Sequence, residues 1–143
     1  MARIEESVAI ECPVDKVFTY TTEAKNWPRW QSFMVDAEQT SEGEVCISTE
    51  FKGTTRMMGL SMKWTAKVTE YDPHNKWAKN IDSGNIAIDE SIICAPVDEG
   101  TKFIIAYDIK ARGLQKLFSP MVVNTMRKET KKSLLNLKSL LEK

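Results

Sequence analysis

From Arg3 to Glu11 apolar and polar residues alternate, with Ile4, Val8 and Ile10 on one parity and Arg3, Glu5, Ser7 and Glu11 on the other. That period of two belongs to a strand with one buried face, and Glu6 falls on the apolar parity. Cys12-Pro13 stops the strand. Pro13 suits the first position of a helix, where its missing N–H has no partner to lose, and Val14, Val17 and Phe18 follow at helical spacing. Asn26-Trp27-Pro28-Arg29-Trp30 sets two indoles around a proline, too short for a helix of its own and too apolar for a solvated loop. It reads as a loop or helical turn that covers something. From Phe33 onward, turn signals recur at Ser41-Glu42-Gly43, Met58-Gly59, Asp72-Pro73-His74-Asn75, Asp82-Ser83-Gly84-Asn85 and Asp98-Glu99-Gly100. The segments between them have strand length and β-branched or aromatic residues, which predicts a meander of about six antiparallel strands.

The last stretch carries the helical period in two phases. Leu114, Leu117, Phe118 and Met121 form one stripe; Val122, Met126, Thr130, Ser133, Leu134, Leu137, Leu140 and Leu141 form another. Ser119-Pro120 falls at the join, so a short helix, a break and a long terminal helix are expected. The opposite face of the long helix holds Arg127, Lys128, Lys131, Lys132 and Lys138, read as a solvated basic face, with membrane-surface binding as the alternative.

Together these elements describe an α+β domain in which a curved antiparallel sheet of about seven strands wraps a long C-terminal helix, with two short helices after the first strand. One helix cannot fill so much concave sheet. Thr130 and Ser133, short and slightly polar at its middle turns, leave room where a filled core would place leucine. Alternation puts Val45, Ile47, Thr49 and Phe51 on the inner face, then Met62, Trp64, Ala66 and Val68, and later Phe103, Ile105, Tyr107 and Ile109. These form the floor of a ligand cavity, with Trp27 and Trp30 near its mouth and Met126 among its lining, or they are ordinary core packing. Met57, Met58, Met62, Met121 and Met126 suit a pliable pocket, and equally a pliable core.

Charge narrows the partners. The chain of 143 residues balances 20 basic against 20 acidic side chains, so no net field gathers nucleic acid or anionic substrates. Cys12, Cys46 and Cys94 are odd in number and far apart, which argues against a disulfide framework or a zinc motif and favours a reducing cytoplasm. The first residues lack the apolar run of a signal peptide, and nothing approaches a membrane span, so integral membrane contact is not expected. No glycine motif for a nucleotide or metal-binding constellation occurs, and no cofactor is expected.

Ile10-Glu11-Cys12-Pro13-Val14-Asp15-Lys16-Val17-Phe18, Asn26-Trp27-Pro28-Arg29-Trp30 and Leu134-Leu135-Asn136-Leu137-Lys138-Ser139-Leu140-Leu141-Glu142 resemble the START-like (SRPBCC) superfamily, of polyketide cyclase/dehydrase and lipid transport type. The resemblance spans nearly the whole chain, taken as one domain over residues 1–143, and implies the helix-grip fold. Its motifs are structural. It implies lipid and hormone carriers or aromatase/cyclases as functional models and carries over no catalytic residue. Cys12 stands where that family usually has alanine.

Glu90 is the sharpest polar signal, since Ile86, Ile88, Ile92 and Cys94 share its parity and a carboxylate on an apolar face costs several kcal/mol unless paired. It is either a proton donor or acceptor with a raised pKa, a residue turned outward by a bulge, or half of a pair with lysine or arginine. Glu6 has the same standing. With the first strand beside the last, as the resemblance implies, the two acids lie two strands apart, about 9–10 Å across the sheet. Tyr107 between them offers a hydroxyl to orient a ligand, or a satisfied core phenol. His74 sits in a turn sequence, and Gly53 inside a strand reads as a bend. Three readings follow: binding of a small apolar or amphipathic molecule held by burial and oriented by Glu90 and Tyr107; a cyclase or dehydratase-type enzyme using Glu90 or Glu6; and a protein-interaction or co-chaperone-like role.

Overall fold

The computed structural model describes residues 2–84, 86–111 and 120–143. Strand β1 (Ala2–Ile10) leads into helix α1 (Val14–Thr22), a single 3₁₀ turn (Ala24–Asn26) and the short helix α2 (Trp27–Trp30). Strands β2 (Met34–Gln39), β3 (Glu50–Met57), β4 (Leu60–Asp72), β5 (Lys76–Asp82), β6 (Ile86–Val97) and β7 (Gly100–Ala111) precede helix α3 (Pro120–Leu141). The strands form one seven-stranded sheet in the order β1-β7-β6-β5-β4-β3-β2. Every adjacent pair is antiparallel. The fold class is the expected one, with the six-strand meander returning the last strand to the first.

Register decides what meets what on the concave face. Ile4 pairs with Tyr107, Tyr107 with Glu90, Glu90 with Lys79 and Lys79 with Val68, so these five side chains form one row across five strands. The neighbouring row runs Glu6, Ile105, Ile92, Trp77. Glu6 and Glu90 are therefore two strands apart and also one row apart. A register shift between Val68 and Glu70 on β4 lets Tyr71 keep its place opposite Trp77 after an extra residue.

α3 lies along β1 and against α2. Thr130, Ser133, Leu134 and Leu137 are its buried residues, the second of the two stripes read from sequence. Polar ties fix its course: Lys138 Nζ donates to the Ala9 carbonyl at 2.8 Å, and Glu142 accepts the Glu11 N–H at 2.8 Å. Arg127 faces β1, its Nε 3.9 Å from Glu6 Oε2. Arg127 and Lys138 thus leave the basic face expected for this helix, which keeps Lys128, Lys131 and Lys132 exposed. Pro120 is the first described residue of the helix. Leu114, Leu117, Phe118 and Ser119, like Asn85 of the β5–β6 turn, lie outside the described residues. Met121, assigned by periodicity to the first stripe, is 66% exposed in the first turn of α3.

One further expectation is corrected and another extended. The alternation through Val45, Ile47 and Thr49 does not form a strand; β3 begins at Glu50, and Ile47 is exposed. The Thr49 hydroxyl accepts the Cys46 N–H at 2.9 Å, and Ser48 between them takes φ +75°, a local turn that defeats the pleat. Gly53 has a further role beyond the expected bend, as a seat for Trp64. A Cβ there would stand 2.4 Å from the Asp36 carbonyl oxygen and 2.4 Å from the Trp64 ring, so only glycine lets that indole lie against the strand.

Candidate functional site

The inner face is divided between two kinds of surface. Over β3, β4 and β5 it is plugged by α2. Trp27 is fully buried, its ring centroid 4.9 Å from Phe51, 6.1 Å from Trp77 and 6.2 Å from Trp64. Its indole N–H donates to the Thr21 carbonyl at 2.8 Å, which ties the plug to the end of α1. Trp30 is equally buried and meets Phe103 edge to face at 5.8 Å. Neither tryptophan stands at a mouth, as the sequence reading had placed them. A proline between two large apolar rings makes a one-turn helix with both rings on its inward side, and the sheet takes both in.

Inside this aromatic cluster sits an ion pair. Lys79 Nζ lies 3.1 Å from Glu90 Oε1, with the two side chains 3% and 5% exposed. The same ammonium lies 3.6 Å from the Trp27 ring centroid and 4.8 Å from that of Trp77. The rings supply negative faces to a cation that has left water, and the carboxylate supplies the countercharge. Burial lowers the Lys79 pKa from its ordinary 10.5, and the charge and hydrogen bond of Glu90 offset part of that shift. Tyr107, next to Glu90 across the sheet, is held well above its ordinary pKa, first by burial and then by the Glu90 charge, so its phenol stays protonated. Of the alternatives open for Glu90, the structure thus shows the inward-facing pair. Lys79 was not singled out from sequence, although Trp77, Lys79 and Ile81 alternate and share its parity.

The other surface lies toward the end of the sheet where β7 finishes and α3 begins. Ile81, Ile88 and Ile86 of β5 and β6 point inward there, with Met62 of β4, and Val123 and Met126 of α3 are partly buried against the core. All six are only half-buried. Ile88 stands one row beyond Glu90, opposite Ile109, which stands one row beyond Tyr107. The polar row therefore borders this apolar surface from the inside. At the opposite end α1 closes the sheet, Phe18 meeting Tyr71 and His74 at ring distances of 5.7 and 5.6 Å. His74 itself is exposed in its turn.

Phe51, Trp64, Ile92 and Phe103 are buried, the first two beneath the Trp27 plug. The Ser133 hydroxyl accepts the Ser32 N–H at 2.9 Å and donates to the Glu129 carbonyl at 2.8 Å, and the Thr130 hydroxyl donates to the Met126 carbonyl at 2.8 Å. Ser133 docks the segment after α2 onto α3, while the Thr130 hydroxyl is satisfied within the helix. Among the described residues no cluster of metal-ligating side chains occurs, and no helix is long and apolar enough to cross a membrane.

Solved structures share this architecture at low identity. A START superfamily protein from Mycobacterium smegmatis is 10% identical with a TM-score of 0.82, covering 98% of this chain and 97% of the other. The Zhui aromatase/cyclase from Streptomyces sp. R1128 is 14% identical with a TM-score of 0.81, covering 99% and 93%. The di-domain ARO/CYC BexL from the BE-7585A biosynthetic pathway is 19% identical with a TM-score of 0.75 over 97% of this chain and 46% of BexL, so the chain spans about half of that protein. No curated protein matches the sequence significantly. Residues 1–142 match the profile of one family, and the helix-grip fold agrees with it: the chain belongs to the polyketide cyclase / dehydrase and lipid transport family.

Proposed function

We propose that the protein binds a small hydrophobic or amphipathic molecule, such as a lipid, an isoprenoid or a polyketide-like aromatic, between the concave sheet and α3. One observation carries this reading: Met62, Ile81, Ile86 and Ile88 lie on the inner face toward one end of the sheet and stay half-buried, as do Val123 and Met126 of α3. Inner-face apolar side chains left half-buried at this end keep surface for an occupant. Tyr107 and Glu90, one row further in, give a polar end of the ligand a donor and an acceptor. Family membership supports the ligand class. Titration with an apolar fluorescent probe, displaced by fatty acids and by fused-ring aromatics, tests it. Ile88→Trp, which fills the space from the wall, is expected to weaken probe and ligand binding at least about tenfold, the loss expected when about 1.4 kcal/mol of binding goes. Unchanged binding in that variant would sink the proposal.

The buried Glu90 beside Tyr107 also supports an enzyme of cyclase or dehydratase kind, in which Glu90 exchanges a proton with a flexible substrate folded against the same wall. The discriminating result is turnover of a bound ligand that disappears in folded Glu90→Gln protein while the ligand still binds.

A further inference from the structure

Exposed apolar residues collect at one corner of the sheet. Val35, Met58 and Leu60 are 53%, 53% and 67% exposed. Met58 and Leu60 belong to the β3–β4 hairpin tip, with Leu60 opposite Met57, and Val35 stands on the neighbouring strand at the register shift between Met34 and Asp36, level with Thr54 and Thr55. The β3–β4 turn at this corner has Met58 at φ +53° and Gly59 at φ +79°. Those are the two left-handed positions of a tight hairpin turn, which asparagine, aspartate and glycine occupy at least cost. A methionine there accepts a disfavoured backbone and holds its thioether in water, so neither conformation nor solubility accounts for it.

Charge is uneven at the same place. Between Glu50 and Glu70 the chain carries Lys52, Arg56, Lys63 and Lys67 and no acid, in a protein with no net charge. Lys52 is paired with Glu38. Asp36 of β2 lies level with Thr54, and Asp82 of β5 level with Thr65. Beyond them, toward the tip, the hairpin carries only the positive charge of Arg56 among Met57, Met58, Leu60 and Met62, with Lys63 at its base.

We propose that this corner docks the protein on an anionic lipid bilayer, with Val35, Met58 and Leu60 entering the interfacial layer while Arg56 and Lys63 meet the headgroups. So few apolar side chains on a projecting tip cannot supply the roughly 1,200–2,000 Å² of a stable protein–protein interface. Apolar side chains beside basic ones favour partition onto an anionic surface, each basic side chain adding roughly 1 kcal/mol. The tip stands at the same end of the sheet as the half-buried Ile81, Ile86 and Ile88. Docking does not depend on what the interior holds.

Sedimentation of the full chain with vesicles of phosphatidylcholine, alone or mixed with phosphatidylglycerol, tests the proposal. Binding to the mixed vesicles, weakening as salt rises, is expected. Met58→Asp with Leu60→Asp, and separately Arg56→Glu with Lys63→Glu, are each expected to lower partition at least about tenfold, with thermal unfolding and probe binding unchanged because all four side chains are exposed. No binding to anionic vesicles overturns the proposal, as does binding that neither double variant alters. A protein partner captured through this corner in the absence of vesicle binding would reassign it to protein contact and overturn it equally.

Discussion

Replacing Lys79 with methionine will destabilise the domain by about 3–5 kcal/mol, Glu90→Leu will cost about as much, and the double replacement will recover most of the loss. Each single change strands a charge that the fold has enclosed: the side chains are 3% and 5% exposed and their charged atoms lie 3.1 Å apart. The double change removes both charges and leaves apolar groups among Trp27, Phe51 and Trp77. Urea unfolding of the four proteins gives the coupling directly, and additivity within about 0.5 kcal/mol would show that the pair is not a unit. A pH signature accompanies it. Burial lowers the Lys79 pKa from 10.5, so the folded state releases this proton before the unfolded chain does. Below the folded pKa the cost of the buried cation is fully present, and stability rises as pH climbs from there towards 10.5. Tyr107, held above its ordinary 10.0, acts oppositely, and its contribution is lost as pH rises past 10. The Lys79 effect is therefore read as the difference between wild type and Lys79→Met, which retains Tyr107.

Trp27→Ala will cost about 3–5 kcal/mol, the range for deleting a fully buried large aromatic side chain. The indole holds together surfaces from four elements: the end of α1 through its hydrogen bond to Thr21, and β3, β4 and β5 through Phe51, Trp64 and Trp77. It also covers the Lys79 ammonium, so its removal admits water to the ion pair. Trp27→Phe will lose less, about 1 kcal/mol for the hydrogen bond plus the smaller ring. Trp30→Phe leaves no acceptor stranded, because the Trp30 N–H, like those of Trp64 and Trp77, is buried without a partner. Chemical denaturation of the three variants checks the order, and an alanine cost below that of Trp27→Phe would contradict the plug.

The strands of the meander were legible because period-two alternation and turn residues are local signals, the place of β1 beside β7 followed only from the family resemblance, and the long helix was legible from the stripe that runs from Val122 to Leu141. The loop before β3 was not, since Val45, Ile47 and Thr49 alternate as a strand does while Ser48 takes a left-handed backbone conformation that no neighbouring residue announces. Glu90 could be found as a carboxylate on an apolar face. Its partner could not be chosen, because pairing across strands depends on the register of β5 against β6, which sets Lys79 opposite Glu90. Trp27 and Trp30 were visible as a covering element, but whether they cover a mouth or fill an interior depends on how deeply α2 enters the sheet. Ser133 looked like space left for a ligand because its partner, the Ser32 backbone, is distant in sequence.

Native mass spectrometry of gently purified protein, followed by extraction and identification of whatever co-purifies, tests the binding reading most directly. The account predicts a defined apolar or amphipathic adduct, or one that forms on incubation with lipids and fused-ring aromatics, that is lost in Ile88→Trp. A bare chain mass that persists through that panel would contradict it.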